Sequence, residues 1–166
     1  MLKRTLVISF AVAVLVLLCS VSVVGQDQKF AIKAAKGGTM EVELGRLAIS
    51  RAHDPAVKSF GERMVADHTE AGNKLKAMAK RKGMRLSAAL DTAQQSEMRK
   101  LIKLRGVEFD RAYMEMMVAD HEADVAEFEK QANSGNDRDF KAFAAEALPT
   151  LKLHLELARE TAAKVR

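Results

Sequence analysis

From residue 26 onward, apolar residues return every three or four positions, the spacing that lines one face of an α-helix. Four such stripes are long. Phe30, Ala34, Gly37, Leu44 and Ala48, with Glu41 in the same file, predict a helix over 28–51. Val57, Phe60, Met64, His68, Ala71, Leu75 and Met78 predict a second, between Asp54 and Gly83. Phe109, Tyr113, Met117, His121, Val125 and Phe128 predict a third over 107–132. Phe140, Phe143, Ala147, Leu151, His154 and Ala158 predict a fourth from residue 137 to the end. No stretch sustains the alternation of a half-buried strand.

The punctuation between these stripes is helical too. Asp54 suits an N-cap, Pro55 the first helical position and Gly83 a C-terminal stop. Asp91 followed by Gln94 reads as a capping box that opens a short helix through about residue 104. The connection from Gly83 to Gly106 is thus long enough to cross a bundle instead of turning tightly. Asn133-Ser134-Gly135-Asn136 reads as a turn. Two features interrupt the regularity. Gly37-Gly38 marks a kink, a late helix start capped by Thr39, or close approach of a neighbouring helix. Pro149 removes a backbone hydrogen bond just before His154 and predicts a kink. The expected fold is all-α, a four-helix bundle with a short extra helix between the second and third long helices.

The first 25 residues follow different rules. Lys3 and Arg4 precede an apolar run from Leu6 to about Val24, with Val23 and Gly25 at signal-peptidase positions. This is a signal peptide or, uncleaved, an N-terminal membrane anchor. Leu18 before Cys19 argues against a lipoprotein. The helical domain is then 26–166, about 140 residues and enough for one core. Cys19 is the single cysteine, so the domain has no disulfide, thiolate ligand or cysteine nucleophile. The net charge of +5 loses Lys3 and Arg4 with that segment and becomes +3. Charges of both signs are interspersed along the helices, which is a solvated surface and no nucleic-acid footprint.

Candidate chemistry centres on a repeated pentapeptide. Met64-Val65-Ala66-Asp67-His68 returns as Met117-Val118-Ala119-Asp120-His121. The copies hint at two related hairpins, yet they fall on the second and third long helices, so the duplication is not clean. Helices of about 24 to 29 residues measure about 36 to 44 Å. Glu41, His68 and His121 fall near their midpoints, with His154 about a turn beyond its own. One polar layer of His68, His121, His154 and Glu41 is therefore expected. It is either a transition-metal site, with zinc, copper or iron as the ion, or a structural layer whose members satisfy one another, Tyr113 or Thr150. The Glu-x-x-His pairs of diiron bundles are absent, with Val65, Val118 and Leu151 in the Glu places. Met64 and Met117 are secondary candidates that suit copper(I), or else pliable core filler. Asp67 and Asp120, turned about 100° away, are expected at the surface or behind the histidines. No nucleophile elbow, phosphate loop or HExxH is present, and no catalytic residue is assigned.

The stretches Ala34-Ala35-Lys36-Gly37-Gly38, Glu41-Val42-Glu43-Leu44-Gly45, Met64 to Thr69, Phe109 to Tyr113, Met117 to His121 and Leu148-Pro149-Thr150-Leu151 with His154-Leu155 carry a family resemblance. The chain resembles the ferritin-like domain of unknown function of exported bacterial proteins, often labelled "predicted outer membrane protein". That resemblance implies a ferritin-like bundle with a periplasmic or envelope address, and it brings no reaction. An all-helical chain lacks the strands of an outer-membrane barrel. Two functions follow as expectations: an exported bundle binding a transition metal in its core, or a structural or stress-related envelope protein acting through a protein partner or homodimer. An enzyme would need the metal first.

Overall fold

A computed structural model describes residues 3–87 and 89–165, with side chains described from residue 25 onward. Its five helices are α1 (Lys3–Arg51), α2 (Pro55–Arg81), α3 (Thr92–Lys103), α4 (Gly106–Ser134) and α5 (Arg138–Lys164). The four-helix bundle with a short extra helix in the long connection is what forms. The expected caps form as well. Asp54 accepts from the Ala56 amide, Asp91 and Gln94 make both bonds of a capping box, and Gly83 takes a positive φ of 66° behind α2.

One boundary differs from expectation. α1 begins far before residue 28 and runs through Gly37-Gly38 without a break. Thr39 caps nothing; its Oγ1 donates back to the Ala35 carbonyl at 2.8 Å. α5 contains Pro149 within its length, as its predicted span does. The signal or anchor segment falls on residues whose side chains lie outside the described set. Among the described residues, no helix is long and apolar enough to cross a membrane.

α1 pairs with α2 and α4 with α5 as antiparallel hairpins, and α3 lies in the connection that carries the chain back along the bundle. Two buried aspartates fix how the hairpins dock. Asp27, near the start of the described part of α1, accepts from the amides of Asn136 and Asp137 at the α4–α5 turn, at 3.2 and 2.9 Å. Asp110, near the start of α4, accepts from the amides of His53 and Asp54 at the α1–α2 turn, at 3.0 and 2.7 Å. Each hairpin thus holds the other's turn, and α1 and α4 must be antiparallel.

The spacing exposes a duplication. Asp110 follows Asp27, Asp137 follows Asp54 and Asp124 follows Glu41 by the same 83 residues. The pentapeptide repeats at 53 residues and lies outside this pseudo-symmetry. Under the 83-residue shift His68 corresponds to Leu151, and His121 to Gly38. The two histidine segments are therefore not equivalent halves.

Two apolar clusters fill the bundle. One contains Leu44, Phe60, Met64, Phe109, Tyr113 and Met117, the other Phe30, Leu75, Phe128, Phe140, Phe143 and Leu151. On each of α2, α4 and α5 the histidine falls between residues of the two clusters. α1 and α2 cross so closely that a Cβ on Gly61 would stand 2.8 Å from the Gly45 carbonyl oxygen and 2.9 Å from Ala48 Cβ. Alanine gains about 1 kcal/mol of helix propensity over glycine, but overpacking against backbone costs about 1–3 kcal/mol. Gly61→Ala is expected to lose about 1 kcal/mol net, read as a lower urea midpoint with an unchanged slope.

Candidate metal centre

The helices bring the three mid-bundle histidines together. His68 comes from α2, His121 from α4 and His154 from α5, and all three are buried. Ring centroids lie 5.8 Å apart for His68–His121 and 5.3 Å for each pair with His154. One ring nitrogen from each lies within 4.8 Å of those from the other two. Glu41 enters the same layer from α1, 2 % exposed.

His121 and His154 are each held at one nitrogen by a hydrogen bond, His68 stands against a carboxylate, and the other nitrogen of each ring is without a partner. His68 Nδ1 meets Glu41 Oε2 at 2.8 Å. His121 Nδ1 donates to the Met117 carbonyl one turn back, at 2.9 Å. His154 Nε2 donates to Asp67 Oδ2 across the α2–α5 interface, at 2.8 Å. His68 Nε2, His121 Nε2 and His154 Nδ1 have no hydrogen-bond partner. Anchoring one imidazole nitrogen on a carboxylate or carbonyl fixes the tautomer that leaves the other a lone pair, as around bound metal ions. Glu41 is close without being well bonded. Its Oε1 lies 3.4 Å from His121 Nε2, yet neither oxygen has an aligned hydrogen bond.

Burial and mutual charge set the protonation states. Burial pulls His121 below the ordinary imidazole pKa, against Glu41 and the Met117 carbonyl. Burial pulls His154 down to about 4, opposed by the Asp67 hydrogen bond. Burial acts on His68 the same way, but the Glu41 charge and contact outweigh it and its pKa is raised. Burial would lift Glu41, yet His68, then His121 and His154, hold it below the usual carboxylate range. At neutral pH the layer is a buried carboxylate, two neutral imidazoles and one imidazole competing for a proton. Three lone pairs and an anion converging with few donors suit a cation.

Above the layer a cavity of about 170 Å³ opens between α1, α2, α4 and α5. Glu41, His68, His154, Asp67 and Asp124 line it together with Leu75, Phe128, Phe143 and Leu151. Gly38 lies beside the layer, where a Cβ would make an ordinary contact 3.8 Å from His68 Nδ1. Asp124 is the residue that helix periodicity missed. Burial and then Glu41 raise its pKa to about 7, with Asp120 also contributing and His68 and Lys33 opposing. The signal that finds it is its 83-residue correspondence with Glu41. Asp67 stands behind His154 as expected. Burial and Glu41 raise half-buried Asp120 to about 6. Met64 and Met117 pack into an apolar cluster with Phe60 and Tyr113, and the Met117 carbonyl accepts from His121 Nδ1.

The family described as "Domain of unknown function (DUF4142)" matches residues 19–161. Solved structures share the fold. A DUF305 fragment from Deinococcus radiodurans superposes with a TM-score of 0.74 at 14% identity, covering 84% of this chain and 96% of its own. A "putative secreted protein DUF305" from Streptomyces coelicolor gives 0.73 at 15% identity, covering 84% and 92%. No curated protein matches. The findings support a domain-of-unknown-function family; the ferritin-like and outer-membrane labels are not carried by them.

Proposed function

The chain belongs to the DUF4142 family of domains of unknown function, and from its core we propose that it is an exported helical bundle holding one transition-metal ion. His68, His121 and His154 are the ligands. Glu41 supplies the compensating negative charge, as a fourth ligand or as the anchor of His68. One observation carries the reading: three buried histidines bring a ring nitrogen each within 4.8 Å of the others, and each ring has a nitrogen without a hydrogen-bond partner. A purely structural layer needs donors for those nitrogens, and a proton shared between His68 and Glu41 serves only one ring. Imidazole with carboxylate suits zinc, copper or iron. The basic start, apolar run and Gly25 support export, as does a fold neighbour described as secreted.

The test is metal analysis of the mature protein, purified without a His-tag from its native host, followed by thermal melts with zinc, copper and iron salts. Near-stoichiometric metal and a raised melting temperature are expected. No metal and no shift with any salt overturn the site. Proton competition adds a second signature. Metal must displace the proton that Glu41 favours on His68, so affinity is full above the raised His68 pKa. It falls by about tenfold per pH unit below it. Titration with a chelator-buffered ion at several pH values checks the slope.

A further inference from the structure

The cavity does more than expose the layer. It is lined by Glu41, His68 and His154, whereas His121 closes the layer from behind and does not line it. An ion on the three histidines would therefore have one side facing a pre-formed cleft, the arrangement of a metal site with an open position. The walls above that face are apolar: Phe128, Phe143, Leu75 and Leu151. A volume near 170 Å³ is that of a single small ring, since an apolar cavity of about 150 Å³ takes up benzene.

Charge narrows the class of occupant. Glu41, Asp67 and Asp124 line the interior, and Glu70 and Glu146 stand at the rim. The one lysine of the lining, Lys74, is engaged by both rim carboxylates at 3.1 and 2.9 Å. An anion entering would meet several carboxylates and no free lining cation, at the low effective dielectric of a cleft. The polar groups that favour a ligand are instead the floor, where a neutral donor atom can bind, and acceptor oxygens such as those of Asp124.

We propose that this cleft is a ligand pocket on the metal site, taking a small uncharged molecule with an apolar body and one metal-binding nitrogen or oxygen. This rests on the metal reading above, and the experiment separates the two. The protein is loaded with cobalt(II), whose visible absorption reports its ligands, and titrated at pH 7.5 with imidazole and, separately, with acetate. Imidazole is expected to shift the spectrum saturably, while acetate at the same concentrations leaves it unchanged. Ala147→Phe and Ala71→Leu, both at cavity-lining positions, are expected to keep the starting cobalt spectrum and weaken imidazole at least tenfold. Cobalt that enters and ignores imidazole overturns the pocket alone. So does equal binding of acetate, undiminished imidazole affinity in both filled variants, or decay to free cobalt–imidazole. Cobalt that never enters overturns the metal reading, and the pocket falls with it.

Discussion

His121→Gln is expected to abolish the metal-dependent rise in melting temperature while leaving the metal-free melt close to wild type. His121 has the fewest alternatives in the layer: it is 0 % exposed, and its Nδ1 is fixed by the Met117 carbonyl. Its remaining nitrogen has no hydrogen-bond partner, with Glu41 Oε1 3.4 Å away. An ion at a thousand times its dissociation constant stabilises the folded state by about 4 kcal/mol. In a domain of this size that is a rise of about 10 °C. Glutamine fits the space and offers an amide donor towards Glu41, so without metal the exchange costs about 1 kcal/mol or less. The signature is thus a difference between two differences: wild type moves with metal and the variant does not. A structural layer predicts the opposite pattern, a shifted metal-free melt and equal response to salts. Calorimetry of both proteins, stripped and reloaded, decides between them.

That the histidines share a depth was legible because helical rise is constant. Counting residues from each helix midpoint places His68, His121 and Glu41 at one level whatever the order of helices. The partners behind them were harder to read. Asp67 sits next to a histidine in sequence, yet it anchors His154 from another helix instead of its neighbour His68, and only docking of α2 on α5 creates that contact. The thioethers of Met64 and Met117 share a face with His68 and His121, but a face wide enough for a bundle core spans both the polar layer and the apolar cluster beside it. Periodicity cannot separate the two. The tight crossing at Gly45 and Gly61 was equally hidden, because a glycine within a helical stripe reads as a weak point until the facing backbone is known.

The pentapeptide marks two of the histidines but not the duplication itself. It is the most conspicuous repeat in the chain, yet the duplication that organises the fold is carried by scattered polar residues 83 apart, chiefly Asp27 with Asp110 and Asp54 with Asp137. Asp54 and Asp137 stand ahead of their helices as N-caps and Asp27 and Asp110 lie off the apolar stripes, so a search for helical periodicity does not pair them. The role of Asp27 and Asp110 is visible only when each carboxylate is found buried against the other hairpin's turn.

Asp110→Ala is therefore expected to be among the most damaging polar substitutions outside the histidine layer. The carboxylate is 1 % exposed and receives two backbone amides, from His53 and Asp54, with one oxygen each. Alanine leaves both amides without that partner and unpins α4 from the α1–α2 turn. An orphaned amide costs about 1–3 kcal/mol, with bonds to a charged acceptor at the upper end, so about 3 kcal/mol is expected after water reaches the partly open turn. Asp110→Asn keeps one accepting oxygen and should lose about half as much. Asp54→Ala, which removes only an N-cap, should cost about 1 kcal/mol. Asp27→Ala should match Asp110→Ala, because it severs the corresponding pair of amides together with a bond from Gln131 Nε2 at 2.7 Å. The two anchors hold different turns and share no partner, so their losses should add. Urea unfolding of the singles and the double measures all of this. An Asp110→Ala variant within 1 kcal/mol of wild type would sink the view that the duplicated aspartates hold the two hairpins, and with them the histidine layer, in register.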